Sequence, residues 1–210
     1  LIISRGNIVP LVTHKENKMN QPQDINGVNV PPINVNGNWV DTVKDAIPDY
    51  CKDIKLNLES IMTRHGLDPV DAHACAYAAA IAANNGALAF EIEMNSPLFS
   101  ENADAERNAM KTASALMAMN NIYYPFVEMT EDASLKGLPP GLRMNAYANH
   151  GGVSKKKFEM YALAASIVGK CEFCVKNHYE NLKKEGLTVQ QLQAIGKIAA
   201  IVNAIGKVAL

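Results

Sequence analysis

The spacing of hydrophobic residues changes character near residue 40. Between Met19 and Trp39 the apolar positions come in short alternations, "INGVNVPPINVNGNW", among many asparagines and with Pro22, Pro31 and Pro32. No helical period is present, and the prolines confine any strand to an edge. This pattern predicts an extended N-terminal arm over 1–40. Residues 1–18 are expected to be upstream or expression-derived sequence, with Met19 as the native start. From Asp41 the pattern turns helical. Val43, Ile47, Tyr50, Ile54, Leu58 and Met62 recur at steps of three and four, the period of one helix face, with Pro48 bending or dividing the run.

Five more helices and a short one follow from the same signals. "LDPVDAHACAYAAAIAANNGA" opens on Asp68 as N-cap with Pro69 at the first helical position and ends at Asn84-Asn85-Gly86. A short helix is expected over 87–94, and a long one over 100–124 from a Ser100 cap with Glu101 and Asp104 in its first turn. Residues 136–152 read as a connecting loop with a helical turn around 141–147. Ser154 caps a helix that stops at Gly169, and a new helix begins near Cys171 and runs to Glu185-Gly186. Thr188 caps the last segment, whose apolar positions 192, 195, 198, 201/202, 205 and 208 form one stripe.

No strand-rich segment follows residue 40, so the fold class is all-α. Setting 105–125 over 158–178 places Glu106 on Glu159, Ala109 on Ala162, Met110 on Leu163, Ala118 on Cys171, Asn121 on Cys174 and Pro125 on His178. The main domain, 41–210, therefore reads as two related helical-hairpin halves. The first, about 41–135, lacks a cysteine pair; the second, about 136–210, carries one.

Composition narrows the function classes. Apolar residues make up 48% and charged residues 20%, the balance of a soluble globular protein. Net charge is −1, with 20 Lys+Arg against 21 Asp+Glu, which gives no basis for nucleic-acid or anionic-membrane binding. Lys155-Lys156-Lys157 reads as a solvated helix start. The longest apolar run, "ACAYAAAIAA", is far short of the ~20 residues that span a bilayer. The N-terminus lacks a signal-peptide pattern, so the expected compartment is the cytoplasm. There, a CxxC pair points to redox or metal chemistry.

That pair is Cys171 and Cys174 in "KCEFCVKNH", with His178 four residues beyond. On two antiparallel helices turning at Gly169, Glu159 and His178 lie roughly 15 and 13.5 Å from the corner at about 1.5 Å per residue, hence level with each other. Cys174 shares a helix face with His178, and Cys171 sits at the helix N-terminus. This column suits thiol oxidation. A helix N-terminus favours the thiolate, His178 takes the Cys174 proton, and Glu159 orients the imidazole. Cys174 is then the peroxide-attacking residue, passing through a sulfenic acid, and Cys171 the resolving one. Cys171 is expected to be the more exposed sulfur and the first attacked by an external dithiol. Two other readings stand beside this one: zinc, with His150 as fourth ligand, and a structural disulfide. Cys51 and Cys75 read as small buried apolar residues, His65 and His73 as surface or satisfied groups, and Trp39 and Tyr123-Tyr124 as packing residues.

Glu159, Cys171, Cys174 and His178 match, without gaps, the pattern of the AhpD-like alkyl hydroperoxidases of the carboxymuconolactone-decarboxylase superfamily. "AIPDYCKDIKLNLESI" (46–61), "MAMNNIYY" (117–124) and "PPGLRMNAYAN" (139–149) also resemble family stretches. The resemblance covers about 41–210. It implies a homotrimer of AhpD-like all-helical subunits, with no bound cofactor and no metal. It also implies reduction of a hydroperoxide substrate by the cysteine pair, with Cys171 as proton donor. The reducing equivalents would come from dihydrolipoamide on a lipoyl-bearing protein, with electrons also passing to an AhpC-type peroxiredoxin. One departure stands out: best-known members carry His before the second cysteine, where this chain has Phe173, so the relay here rests on Glu159 and His178. A decarboxylase or lactone-processing member of the superfamily, and a non-enzymatic thiol-disulfide partner or sensor, are the competing readings.

Overall fold

The computed structural model describes residues 38–96 and 103–208. The arm, apart from its last three residues, lies outside them. The described residues are all-α. Helix α1 (Trp39–Ala46) starts two residues earlier than the periodicity suggests, because the Asn38 side chain caps it by accepting from the Val40 amide. Pro48 divides the next run: α1 ends, a 3-10 turn covers Asp49–Cys51, and α2 takes Lys52–Thr63. Helix α3 (Pro69–Ala82) has Asp68 as N-cap and Pro69 at its first position, and α4 spans Gly86–Asn95.

Helix α5 (Asp104–Met129) departs from expectation at both ends. Its N-cap is Ala103, without a side-chain bond; Ser100 and Glu101 lie outside the described residues. At the other end it runs through Pro125, which forfeits only the amide bond to the Asn121 carbonyl, and buried Val127 anchors the final turn. Short helices α6 (Ala133–Lys136) and α7 (Asn145–Ala148) and a 3-10 turn (His150–Gly152) occupy the connecting segment. Helices α8 (Lys155–Val168), α9 (Glu172–Lys184) and α10 (Val189–Ile205) complete the fold. The Thr188 cap forms a full capping box with Gln191. The lysine run at the start of α8 is more engaged than a solvated face: Lys157 pairs with Glu106, and Lys155 with Glu185.

Helix α8 sits at the centre, packed by α3, α5, α9 and α10. Both α3 and α8 are buried on every side over most of their length. Ala72, Ala74, Ala76 and Ala78–Ala80 are buried on α3, and every residue from Phe158 to Ser166 is buried on α8. A helix apolar all round belongs in an interior, and alanines let neighbouring backbones approach. Trp39 is fully buried and donates through Nε1 to His73 Nδ1, which also meets Ser96 Oγ at 2.7 Å. His73 is thus a satisfied core histidine, its pKa lowered by burial. The alignment of 105–125 with 158–178 describes similar faces rather than a second corner. Ala109 and Met110 are buried like Ala162 and Leu163, but α5 runs on where α8 turns. No described helix is long and apolar enough to cross a membrane.

The α8–α9 corner decides where the site lies. It is a Schellman turn: the Lys170 amide donates to the Ile167 carbonyl, and the Cys171 amide to the Ser166 carbonyl. The left-handed residue is Lys170, at φ 56°, not Gly169. Glycine at 169 is required by proximity instead. A Cβ there would overlap the Asn121 side-chain amide and lie 2.7 Å from Asn121 Cβ, and Asn121 is itself held by its bond to the Ala165 carbonyl. Two outcomes follow for chemical denaturation. Gly169→Ala should cost about 1–3 kcal/mol, and much of that loss should be recovered when Asn121→Ala is added, a coupling that a double-mutant cycle measures. Lys170→Gly should stabilise by up to about 1 kcal/mol, since it removes a left-handed residue that carries a Cβ.

Candidate active site

The corner delivers the first sulfur. Cys171 is the N-cap of α9, and its Sγ accepts from the Cys174 amide at 3.2 Å. Capping turns the side chain inward, beneath the Schellman turn. Cys171 and Cys174 are joined by a disulfide across the first turn, with Cα atoms 5.3 Å apart. Cys171 is 0% exposed and Cys174 3%. The expectation that Cys171 is the more exposed sulfur is therefore corrected: the cap that puts it at the helix terminus also buries it.

One turn further along α9, His178 is 6% exposed, and across from it Glu159 of α8 is 0% exposed. Nδ1 of His178 lies 2.7 Å from Glu159 Oε2. The equal offsets of these two residues from the corner bring them level, as the spacing predicts. The same carboxylate receives two donors absent from the sequence-based set. The Tyr147 hydroxyl donates to Oε1, and Asn181 Nδ2 donates to Oε1 at 3.1 Å. Burial pushes the Glu159 carboxyl up, but the bonds from His178 and Tyr147, the His178 charge and the Asn181 bond together outweigh it and hold the group below its ordinary range. A carboxylate can only accept, so the His178 proton on this side belongs to Nδ1. The other ring nitrogen, Nε2, rests 3.0 Å from Met117 Sδ of α5.

Tyr147 is held in turn. Its ring meets Phe158 edge-on at 5.5 Å and His150 at 6.2 Å. Burial and the Glu159 carboxylate both push its ionisation above the ordinary phenol range, so the hydroxyl keeps its proton. His150 packs against these aromatic rings. Among the described residues, no group of three or more His, Cys, Asp or Glu side chains is arranged to hold a metal ion. Phe173, between the two cysteines, faces outward and stacks on Tyr124 of α5 with ring centres 4.3 Å apart, so Tyr124 packs, and so does Tyr123 against it. Cys75 is buried, and burial pushes its thiol above the range in which thiolate forms; Cys51 is only half-buried.

Of the residues missed, Asn181 had a signal. It lies three beyond His178, on the same face of α9. Met117 lies on another helix, and Tyr147 lies in a loop-rich segment twelve residues before Glu159. Neither has a period linking it to the motif.

The site's segment, and most of the chain around it, have recognisable relatives. The model of the carboxymuconolactone decarboxylase family matches residues 137–209, a span that holds Tyr147, Glu159, both cysteines, His178 and Asn181. Alkyl hydroperoxide reductase AhpD of Maricaulis maris is 40% identical over 171 residues, covering 80% of this chain and 96% of that protein. AhpD of Coxiella burnetii is 38% identical over 177 residues with the same coverages. AhpD of Rhodospirillum centenum is 36% identical over 170 residues, covering 80% of this chain and 89% of its own. Such identity over nearly the full length of these relatives means that the chain belongs to the AhpD family of the carboxymuconolactone-decarboxylase superfamily, and that it is an enzyme of the oxidoreductase class.

Proposed function

We propose that this chain is an alkyl hydroperoxide reductase working through Cys174 and Cys171. The observation that carries the reading is the disulfide at the α9 N-terminus with the buried Glu159–His178 pair one turn beyond it. In the reduced enzyme, His178 Nε2 takes the Cys174 proton and the helix terminus favours the resulting anion. The thiolate attacks one oxygen of R–O–O–H. The S–O bond forms as O–O breaks, and the departing alkoxide takes a proton from the relay and leaves as R–OH. Sulfur ends as a sulfenic acid. The Cys171 thiol then attacks that sulfur and water leaves, giving the disulfide.

An external dithiol closes the cycle through a mixed disulfide. Its proposed source is a dihydrolipoyl group on a lipoyl-bearing protein, with an AhpC-type peroxiredoxin as a further electron acceptor; the family relationship supports both. It also supports a homotrimer. The exposed stripe Ile122, Phe126 and Met129 on α5 is the kind of apolar surface that assembly covers.

A coupled assay with dihydrolipoamide and an organic hydroperoxide tests the proposal. Cys174→Ser should abolish turnover, and full activity in that variant would remove the reading. Cys171→Ser should stop after one turnover, with a sulfenic acid or mixed disulfide on Cys174 detectable by mass spectrometry. Glu159→Gln and His178→Gln should each lower kcat/KM roughly a hundredfold or more at neutral pH, with an unchanged helical circular dichroism spectrum. Reversible oxidation without multiple turnovers would favour a sensor, and turnover surviving thiol alkylation a decarboxylase-type reaction.

A further inference from the structure

Glu159 is fully buried, so the protein groups packed around it bear on where the proton it shares with His178 resides. Oε2 faces His178 Nδ1. Oε1 is occupied by the Tyr147 hydroxyl and by Asn181 Nδ2. Of the two donors on Oε1, Tyr147 comes from outside the α8–α9 hairpin, carried in by α7. We propose that the Tyr147 hydroxyl is a positioning group for the Glu159–His178 pair, fixing the carboxylate as acceptor so that the proton stays on Nδ1 and Nε2, which rests on Met117 Sδ in this oxidised state, is the ring nitrogen left to exchange a proton with sulfur.

The chain goes to some length to place that hydroxyl. After α7 it takes three consecutive residues at positive φ, His150 at 53°, Gly151 at 60° and Gly152 at 91°, the first of them in a conformation that is costly for a residue with a Cβ. This turn draws the segment against α5 and α8: a Cβ on Gly151 would lie 2.7 Å from Ala109 Cα and 3.4 Å from Phe158 Cε2. Phe158 and His150 then pack on the Tyr147 ring and on each other, and the Tyr147 hydroxyl donates to Oε1. Without it, Oε1 keeps one neutral donor in a fully buried setting. The carboxylate becomes more basic and competes for the Nδ1 proton, and the imidazole loses the negative partner that stabilises its charged form. The charged and titratable groups that act on Glu159 are His178 from α9, Tyr147 from α7 and Lys155 one turn earlier on α8. Lys155 is exposed and pairs with Glu185.

A second tyrosine–carboxylate contact supplies the control. Tyr161 donates to Glu106 at 2.6 Å, but the other partner of Glu106 is Lys157 rather than a histidine. That bond has no imidazole proton to place.

This inference rests on the proposed peroxidase reading for its first readout only. Full-length protein is assayed across pH in two ways: kcat/KM with dihydrolipoamide and an organic hydroperoxide, and the rate of Cys174 alkylation by iodoacetamide in reduced protein, followed by mass spectrometry. Tyr147→Phe should move the acid limb of both profiles up by about one pH unit. The sign follows from the carboxylate. Its charge is held at low pH in the wild type, and losing a donor makes protonation set in at higher pH. Just below the displaced limb kcat/KM should be about tenfold lower, carried by kcat rather than KM, one pH unit being a factor of ten. In infrared difference spectra, a protonated-carboxyl band that Glu159→Gln abolishes should appear at higher pH in the variant. Tyr161→Phe should leave both limbs at their wild-type positions. Tyr147→Met, which needs no ring packing, carries the same expectation should the Phe variant not fold. Wild-type limbs in a folded Tyr147 variant overturn the assignment, as does an equal shift in Tyr161→Phe. Absence of peroxide turnover in the wild type would count against the proposed function, while the alkylation profile and the infrared band would still decide the role of Tyr147.

Discussion

A carboxylate inside an alanine-packed helical bundle is the constraint on which the rest of this molecule turns. Stripped of water, a glutamate on α8 would ordinarily take up a proton and fall silent. Glu159 keeps its charge because side chains from α7 and α9 converge on its two oxygens, and together they outweigh the cost of burial. Everything chemical follows from that arrangement. The fixed charge orients the His178 ring, and the ring's far nitrogen is left for partners other than the carboxylate. With the sulfurs oxidised, that nitrogen rests against the Met117 thioether.

The hairpin that carries these groups is set by local rules of unequal visibility. Ser154 and Thr188 behave as caps, and Asp68-Pro69 opens α3, all as their chemistry dictates. The corner is subtler. Glycine before a helix stop suggests a left-handed residue, yet the left-handed position falls one residue later, on Lys170. The glycine answers to Asn121 on a different helix. A conformational signal and a packing signal look alike in sequence, because both are written as Gly.

Much of the fold and half of the site could be read from the chain, for reasons that particular residues make plain. Helix periodicity, caps and prolines are local, so the elements after residue 40 emerged with small boundary errors. Asn38 escaped because its capping role depends on where Trp39 is buried. Helix α5 runs past the expected end at 124 and through Pro125, with Val127 buried in its last turn, a tertiary contact that no local signal announces. The level placement of Glu159 and His178 came from counting residues to the corner, a calculation that needs only helix rise. Tyr147 and Met117 had no such route. Each reaches the site from an element whose position is fixed by long-range packing, in the case of Tyr147 by the approach of Gly151 to Ala109.

The stacking of Phe173 on Tyr124 has a further consequence. Both cysteines are buried, and Phe173 of the same turn is packed on Tyr124 of α5, so the hold of that turn on α5 bears on how readily the disulfide is approached. Weakening that aromatic contact would loosen the first turn of α9 and with it the cover over the two sulfurs.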